Sequence, residues 1–232
     1  MQQHLNVPPE NHVKVLGGQG WVGLIDHLGT ESTIVNAARV SFGKIKTEMD
    51  DRDKALLAYL IDNRHTSPLD HMVFTFSVHC PLFIRGQWHR HRTWSYNEIS
   101  RRYTEIDMEF YTPVKLRKQA ESNRQASFLD ESFDDESLRE EIRQQNLKSL
   151  ELYNHLLEKG VCREQARGVL PQKMMVTFWG TVDLSNLLHF LALRDSDHAQ
   201  SEIKEYAVAI KKLIKPIIPN VAAYFAGKGQ EW

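Results

Sequence analysis

A regular alternation of apolar and small or polar residues constrains the fold more than any other feature of this sequence. In the stretch 71–80 the even-numbered positions from Phe74 onward are apolar: Phe74, Phe76, Val78 and Cys80. A period of two predicts a β-strand with one buried face. Pro81 ends that strand, since proline cannot donate a hydrogen bond to the ladder. The residues from Leu82 to His91 then predict a helix that carries the next segment to the surface.

Further strands and helices follow from the same kind of pattern. Strand formers are concentrated in Lys173–Val182, and the short apolar runs Val13–Leu16 and Trp21–Leu24 predict two strands joined at a glycine-rich turn. Five more helices are predicted from apolar side chains at three- and four-residue spacing. They are Thr30–Val40, Asp50–Asn63, a long helix from about Ser137 that closes at Gly160, a helix capped by Asp183, and a last helix from about Asp197 with Pro216 and Pro219 at its end.

These elements together predict the fold class. We expect an α+β fold with a mainly antiparallel sheet flanked by long helices, formed by a single domain over residues 1–232. The polar segment from Arg117 to Ser137 has few large apolar residues, which indicates a mobile surface loop.

Composition excludes several classes of protein. With 29 Lys plus Arg against 30 Asp plus Glu, the formal charge is −1, so the whole molecule is not built to bind a polyanion. Cys80 and Cys162 are far apart and predict reduced thiols. Met1–Pro9 has neither the basic start nor the apolar run of a secretory signal, and no run of residues is apolar enough for a membrane span, so we expect a cytoplasmic protein.

Positive charge is concentrated in one short segment. Between residues 85 and 103 there are five arginines, Arg85, Arg90, Arg92, Arg101 and Arg102. Trp88, Trp94 and Tyr96 lie among them, and Glu98 is the single acid. Guanidinium groups bind phosphate oxygens in pairs and aromatic rings stack on bases or ring cofactors, so a local anion site is one interpretation. A solvated basic face neutralised by the acidic run Asp130–Glu141 explains the charge equally well.

The order of residues in this segment decides between the two interpretations. Arg90-His91-Arg92, Ser95, Asn97, Ser100, Arg102 and Tyr103 match the pattern R-H-R-x-x-S-x-N-x-x-S-x-R-Y at every specified position. This pattern resembles the signature of the flavin-dependent thymidylate synthases. Four further segments resemble the same family: AARVSF (37–42), HTSPLDH (65–71), GVCREQARGVLP (160–171) and LRDSDHAQ (193–200).

The resemblance implies an activity and its co-substrates. The family converts dUMP to dTMP, takes a methylene group from methylenetetrahydrofolate, and reduces it with a flavin hydride that comes from NADPH. FAD is therefore the expected cofactor, and a homotetramer with active sites shared between subunits is the expected assembly. No metal, nucleic acid or membrane partner is expected.

The resemblance also assigns binding residues. The FAD contacts are expected at Ser67, Arg90, His91, Arg92, Glu98, Asp183, Ser185 and His189, with Ser41 as a weaker candidate. The dUMP contacts are expected at Gln87, Trp88, His89, Arg90, Glu98, Ile99, Ser100, Arg101, Arg102, Arg167 and Arg194. Two positions differ from the family pattern. Arg101 occupies a position where a small or neutral residue is common, and Ser185 one where some relatives have arginine.

Arg194 is the expected catalytic residue. A fixed cation at the N3/O2 edge of uracil would stabilise the negative charge that develops as C5 attacks an electrophilic carbon. The competing interpretation is a helix-end arginine that pairs with Asp195 or Asp197. Ser100 is expected to bind the nucleotide rather than to act as a nucleophile, because the neighbouring arginines cannot accept its proton.

Two functions from other classes compete with this hypothesis. His89, His91, Asp195 and His198 could hold a divalent metal in a hydrolase, although the flanking arginines raise the electrostatic cost of a cation there. The aromatic residues among the arginines could instead stack on the bases of a nucleic acid, although a net charge near zero disfavours that function.

Overall fold

Seven strands and nine helices are present in the part of the chain that the computed structural model describes, which comprises residues 7–105, 108–121, 127–130, 132–133 and 135–232. The strands are β1 (His12–Val15), β2 (Gly20–Leu28), β3 (Val73–Pro81), β4 (Ser95–Glu98), β5 (Lys118–Gln119), β6 (Ser127–Phe128) and β7 (Met175–Asp183). The helices are α1 (Glu31–Arg39), α2 (Asp51–Asp62), α3 (Thr66–Leu69), α4 (Leu82–Trp88), α5 (Glu136–Glu158), α6 (Arg163–Ala166), α7 (Leu184–Arg194), α8 (Ser201–Ile214) and α9 (Pro219–Gly227).

Five of the strands form one antiparallel sheet in the order β1-β2-β3-β7-β4. The central pair, β3 and β7, is in continuous register from Val73 opposite Asp183 to Pro81 opposite Met175. The two strands predicted from alternation and from strand formers are therefore the middle of the sheet. The expected α+β fold with a mainly antiparallel sheet is confirmed.

Helices α4, α7 and α8 pack on one face of this sheet and enclose an aromatic cluster. The indole of Trp88 is fully buried, and its ring lies 4.8 Å from that of Phe190, 5.4 Å from that of Phe178 and 5.7 Å from that of Tyr206. The even positions of β3 face the same core, as their alternation predicted. This cluster holds the end of α4 against α7. The candidate site lies where these two helices meet.

The N-terminal elements follow the prediction, with one extension. Strand β2 continues past Leu24 through a bulge and pairs with the start of β3 as far as Leu28. Residues 25–28 are exposed and carry no apolar pattern, so the sequence did not indicate this part of the strand. Helix α2 begins after Asp50, whose side chain accepts a hydrogen bond from the Asp53 backbone N–H, as expected for a cap.

The C-terminal region differs from the prediction. The last predicted helix was expected to start near Asp197 and to end at the two prolines, but α8 covers Ser201–Ile214 and a separate helix, α9, begins at Pro219. Proline is favoured at the first position of a helix because its missing N–H has no intrahelical partner there. Glu31 contributes a carboxylate at this helix start, where it accepts hydrogen bonds from the Val221 backbone N–H and the Asn220 amide.

The predicted surface loop is described only in part. Residues 122–126, 131 and 134 lie outside the described residues, as do Met1–Asn6 in the predicted polar start of the chain. The described portion contains the short pair β5-β6, and Asp135 accepts a hydrogen bond from the Leu116 backbone N–H at 2.5 Å.

Neither cysteine is in a disulfide. Among the described residues every helix is too short or too polar to cross a bilayer.

Candidate active site

The site forms where α4 ends and the chain turns toward β4. Helix α4 ends at Trp88, three residues before the predicted end at His91. Two of the carbonyl groups in this turn, those of Trp88 and His91, accept hydrogen bonds from the Tyr96 hydroxyl at 3.1 and 3.0 Å. Because the buried indole of Trp88 and the hydroxyl of Tyr96 fix the turn, Arg90 and Arg92 extend to solvent while His91 faces inward.

Arg194, the last residue of α7, is held by two acceptors from this turn. Its Nε–H donates to Nε2 of His91 at 3.0 Å, and its Nη2 donates to the Gln87 carbonyl at 3.1 Å. His91 must therefore be neutral, with its proton on Nδ1. Burial, with help from the positive charge of Arg194 and from His189, lowers the pKa of His91 to about 4. Burial also lowers the pKa of Arg194, but a guanidinium stays charged in proteins.

The competing interpretation of Arg194 does not hold among the described residues. Asp195 pairs with Lys211, Asp197 pairs with Lys204, and no described carboxylate lies within 4.0 Å of the Arg194 guanidinium. Two of its five N–H groups are used by His91 and Gln87, so the others remain for a ligand.

A cavity of about 740 Å³ opens beside this guanidinium. Its lining is mainly polar, with four groups that can carry positive charge, and consists of Gln87, Arg117, Ser127, Arg194, Asp197, His198, Ala199, Gln200, Ser201 and Lys204. A second cavity of about 460 Å³, between α5 and the segment around Thr112, contains none of the predicted site residues.

A second group of predicted residues lies at the end of β4. Glu98 is paired with Arg85, with 3.0 Å between Oε2 and Nε. Burial raises the pKa of Glu98, while the positive charges of Arg85 and Arg167 oppose that rise. Ile99, which follows, is half-buried and its backbone N–H donates to the Thr177 carbonyl at 3.0 Å. The basic segment is thus neutralised in part by its own acid.

Ser100 begins the turn that follows β4. Its carbonyl accepts from the backbone N–H groups of Tyr103 and Thr104, and its hydroxyl accepts from the Arg102 N–H at 3.3 Å. Arg102 is exposed and lies 3.5 Å from Glu164. Arg101 points inward and is only 4% exposed, so its side chain takes up space inside the protein at a position where the family commonly has a small residue.

The ion pairs seen for the described residues of the acidic run 130–141 do not involve the arginine-rich segment, contrary to the interpretation of that segment as a solvated basic face neutralised by this run. Its described ion pairs join Asp130 to Lys118, and Glu136 and Glu140 to Arg139 and Arg143. These partners lie outside the arginine-rich segment.

Two of the predicted dUMP residues have side chains turned away from the cavity. Trp88 belongs to the core. His89 stacks on Tyr96 with 4.1 Å between ring centroids, and burial together with Arg85 lowers its pKa to about 4. The dUMP contacts expected at these residues stay predictions, and only their main chain is placed to make them.

Three of the predicted FAD residues, Asp183, Ser185 and His189, lie along α7, whereas Glu98 belongs to the group at the end of β4. Asp183 caps the helix by accepting from the Asn186 N–H at 2.8 Å, Ser185 is half-buried one turn before His189, and the His189 ring lies 6.1 Å from that of His91. Ser67 is exposed on α3, which packs against α7. Ser41 is exposed on the turn after α1, where its hydroxyl donates to the Ala38 carbonyl at 3.1 Å.

The structure adds cavity residues that the motifs did not indicate. Arg117 donates to Glu202 at 2.8 Å from within the loop that matched no family segment, so no sequence signal pointed to it. Gln200 lies within the matched segment 193–200 and its amide oxygen accepts from the Gln87 side chain at 2.5 Å. The family segment could have indicated Gln200, since it ends on that residue.

The metal hypothesis is not supported by the arrangement of the histidines. His89 faces Tyr96 while His91 faces Arg194 and Phe190. Within the described part of the chain, no three histidine, cysteine, aspartate or glutamate side chains are grouped as metal ligands.

Comparison with known proteins agrees with the signature. Residues 23–220 match the model of the family described as thymidylate synthase complementing protein. The chain belongs to this family. A relative from Thermus thermophilus, named flavin-dependent thymidylate synthase, is 45% identical over 207 residues, which are 89% of this chain and 76% of that protein. A relative of the same name from Thermosipho melanesiensis is 44% identical over 87% of this chain and 88% of its own length.

Two solved structures of a methylase share the fold. A crystal structure of the UMP/dUMP methylase PolB from Streptomyces cacaoi, bound with 5-Br dUMP, superposes with a TM-score of 0.80 at 32% identity and covers 90% of this chain and 95% of that one. The same enzyme bound with 5-Br UMP gives a TM-score of 0.79 at 30% identity, over 90% and 94% of the two chains. The prediction that this chain is an enzyme of the flavin-dependent thymidylate synthase family is confirmed.

Proposed function

We propose that this protein methylates dUMP to dTMP, with methylenetetrahydrofolate as the one-carbon donor and NADPH as the reductant through bound FAD. The observation that carries the proposal is the guanidinium of Arg194, which is fixed by neutral His91 and the Gln87 carbonyl beside a cavity and has no carboxylate partner among the described residues. The relatives' names and the dUMP analogue in the PolB crystal structure support the same substrate.

The chemistry of uracil explains why this guanidinium matters. C5 of the ring attacks an electrophilic carbon more readily when the ring carries negative charge, and loss of the N3 proton to water would place that charge at the N3/O2 edge. A fixed guanidinium at that edge stabilises the charge without having to reorganise, and partial burial strengthens the interaction. In this proposal Arg194 is the catalytic residue, and no side chain forms a covalent bond to the nucleotide.

Other cations are available to bind the phosphate of dUMP. Arg102 and Arg167 are exposed, and Ser100 lies in the turn between Glu98 and Arg102. We assign Gln87, Arg90, Glu98, Ile99, Ser100, Arg101, Arg102 and Arg167, with the main chain at Trp88 and His89, to dUMP. For Arg101 this assignment rests on its backbone, because its side chain is buried.

The residues at the turn and along α7 fit a flavin dinucleotide. Arg90 and Arg92 are exposed, and no described carboxylate pairs with either, so both are available for a pyrophosphate. When bound, FAD supplies the hydride that reduces the transferred carbon. Neutral His91 presents a donor at Nδ1, and the exposed face of α7 offers Ser185 and His189, with Asp183 at its start and Ser67 beside it.

We further propose a cytoplasmic homotetramer with shared active sites. Arg194 binds Gln87 and His91 at the start of the segment 87–102, whereas Glu98 lies toward its end. A shared site would bring the Glu98 region of one subunit close to Arg194 of another subunit. Exposed apolar side chains that could be covered by subunits are present on α5 and on the open face of β7, namely Leu138, Leu147, Leu152 and Trp179.

Binding of FAD by the purified protein, and reduction of that FAD by NADPH, test this proposal. The purified protein should bind FAD with the absorption bands of a flavoprotein, and NADPH oxidation under anaerobic conditions should bleach them. Arg90→Ala and Arg92→Ala should weaken FAD binding, while Arg52→Ala, an exposed arginine on α2, should not. A protein that binds no flavin in either redox state would contradict the proposal.

A further inference from the structure

Three residues of the cavity lining and the buried Glu202 form a continuous chain of hydrogen bonds. Gln87 Nε2 donates to Gln200 Oε1 at 2.5 Å, and Gln200 Nε2 donates to Glu202 Oε2 at 2.9 Å. Arg117 Nη2 donates to the same carboxylate oxygen at 2.8 Å. The chain joins the end of α4 to the start of α8, and the carbonyl of its first member also accepts from Arg194. It therefore lies directly beside the proposed nucleotide site.

The carboxylate of Glu202 sets the direction of the hydrogen bonds in this chain. Glu202 is 8% exposed. Burial raises the pKa of this carboxyl, but hydrogen bonds from Arg117 and Gln200 outweigh burial, so the pKa is lowered and the group is ionised at neutral pH. An ionised carboxylate only accepts hydrogen bonds. The Gln200 amide must therefore turn its nitrogen toward Glu202 and its oxygen toward Gln87.

The same argument fixes the amide of Gln87. The oxygen of Gln200 faces it at 2.5 Å, so a flipped Gln87 would bring two amide oxygens together with no proton between them. Gln87 therefore uses an N–H group on Gln200 and keeps its Oε1 for another partner. Among the described residues nothing donates to that oxygen, and Gln87 lines the cavity. An acceptor of fixed orientation is thus left at the cavity wall.

We propose that Glu202 and Gln200 are positioning residues that hold the amide oxygen of Gln87 toward the nucleotide, so that the site selects a hydrogen-bond donor of dUMP. This inference rests on the proposed function, because it takes dUMP as the ligand of the cavity. Outside its phosphate, neutral dUMP carries two donors, the N3–H of uracil and the 3′-hydroxyl. Gln87 would accept from either one and would repel an acceptor in the same place.

Two nucleotides that carry an acceptor in place of one donor test the proposal. Cytosine has an unprotonated N3, so dCMP replaces the base donor, and 3′-fluoro-2′,3′-dideoxyuridine monophosphate replaces the hydroxyl. Their dissociation constants and that of dUMP are measured by calorimetry with the FAD-loaded protein at about pH 8, where carboxylates are ionised. We expect the wild type to bind at least one analogue about 10-fold or more weakly than dUMP, because two acceptors then face each other.

Variants of the chain show whether this preference depends on the orientation of Gln87. Gln200→Met removes the partner that orients Gln87, so the freed amide can rotate and offer its N–H groups to an acceptor. The preference for dUMP over the rejected analogue should then fall by about 3-fold or more. The analogue whose rejection falls identifies the donor that Gln87 recognises. Gln87→Met, which removes the amide and keeps the main chain, should lower the preference in the same way.

Glu202→Gln and Arg117→Met separate this role from a purely structural one, because both break the same ion pair. A neutral amide at position 202 can donate as well as accept, so Glu202→Gln should lower the preference as Gln200→Met does. Arg117→Met keeps the carboxylate that directs the chain. Its preference should stay within about 2-fold of the wild type, whatever its effect on overall affinity.

The possible results are distinct. Equal binding of all three nucleotides by the wild type, or a preference that Gln200→Met and Glu202→Gln leave unchanged, would overturn the inference and leave the proposed function intact. A preference that Arg117→Met lowers as much as Glu202→Gln would show that only the ion pair matters and would also overturn it. A wild-type protein that binds no dUMP would instead overturn the proposed function.

Discussion

At the scale of single residues, Arg194 and Ser100 separate electrostatic activation of the substrate from covalent attack by the enzyme. Arg194→Ala should lower the rate of dTMP formation by about 10²- to 10³-fold, the usual cost of removing a group that stabilises developing charge. Reduction of the flavin by NADPH should largely survive. The comparison is a single-turnover assay with pre-reduced enzyme, and Arg52→Ala on the exposed side of α2 is the matched control.

Ser100→Ala should have a different effect from Arg194→Ala. The Ser100 hydroxyl accepts a hydrogen bond from the Arg102 backbone and no described base is bonded to it, so its loss should mainly raise the dUMP concentration needed for turnover. Activity should return at saturating dUMP. Complete loss of product in Ser100→Ala, with dUMP and FAD still bound, would mean that the serine is a nucleophile and that our assignment is wrong.

His91 should make the stability of the protein depend on pH. Its pKa is lowered to about 4, chiefly by burial and then by Arg194 and His189, whereas an unfolded histidine titrates near 6.5. Between these values the unfolded chain binds more protons, so His91 makes the free energy of unfolding fall as the pH drops from about 6.5 to about 4.

His91→Gln removes this titration while it keeps an acceptor that can face Arg194. The wild type should be the more stable protein at pH 7.5, and the difference in melting temperature should narrow toward pH 4.5. His89→Gln serves as a comparison, since the pKa of His89 is also lowered to about 4 but its ring faces Tyr96 instead of Arg194. A difference between wild type and His91→Gln that stays constant with pH would contradict the depressed pKa.

At the scale of elements, α7 connects the two ends of the candidate site. It is capped by Asp183, whose side chain accepts from the Asn186 N–H at 2.8 Å, and it ends at Arg194. Its 11 residues give a length of about 16 Å along the helix axis. Fraying at the start of this helix should therefore affect the proposed flavin side first.

Asp183→Ala should destabilise the protein by about 0.5–2 kcal/mol, the usual cost of removing an N-cap side chain. Asp183→Asn keeps an acceptor for the same N–H and should recover most of that stability. Chemical unfolding of both variants measures the effect, with FAD affinity as a second quantity. If Asp183→Ala were as stable as the wild type, the cap would contribute nothing to α7.

The elements also show what the sequence alone can predict. The periodicity of apolar residues and the capping residues predict six of the elements, namely β3, β7, α1, α2, α5 and α7. Each of them buries a regularly spaced set of side chains or has a capping residue next to it in the sequence. Helix α9 was missed because prolines 216 and 219 indicate the end of a helix and the start of one equally well. The Glu31 carboxylate that stabilises its start comes from 190 residues away.

The candidate site was also predictable from the sequence only in part. The motif indicated Arg90, His91 and Arg194, but not that Arg194 donates to His91, since their hydrogen bond joins residues 103 positions apart. Nor could it show that Asp195 is bound by Lys211, because a helix-end arginine next to an aspartate predicts the opposite pairing. Such long-range partners are set by how α7 and α8 pack on the sheet.

At the scale of the whole molecule, we expect four chains. The native mass in solution should be four times the 26.9 kDa of one chain, as sedimentation or light scattering can measure. One domain over residues 1–232 fits the continuous core that joins the sheet to α7, α8 and α9. A monomer with full catalytic activity would contradict the proposal of sites shared between subunits.

The most direct test of the account is a single turnover in the absence of oxygen. Protein reduced beforehand with NADPH and freed of excess reductant is mixed with dUMP and methylenetetrahydrofolate, and the product is quenched and identified. The account predicts that dTMP forms in proportion to the reduced flavin, that flavin is oxidised in step with it, and that omitting either substrate abolishes product. Oxidation of the flavin without dTMP, or dTMP formed without flavin, would contradict the central claim.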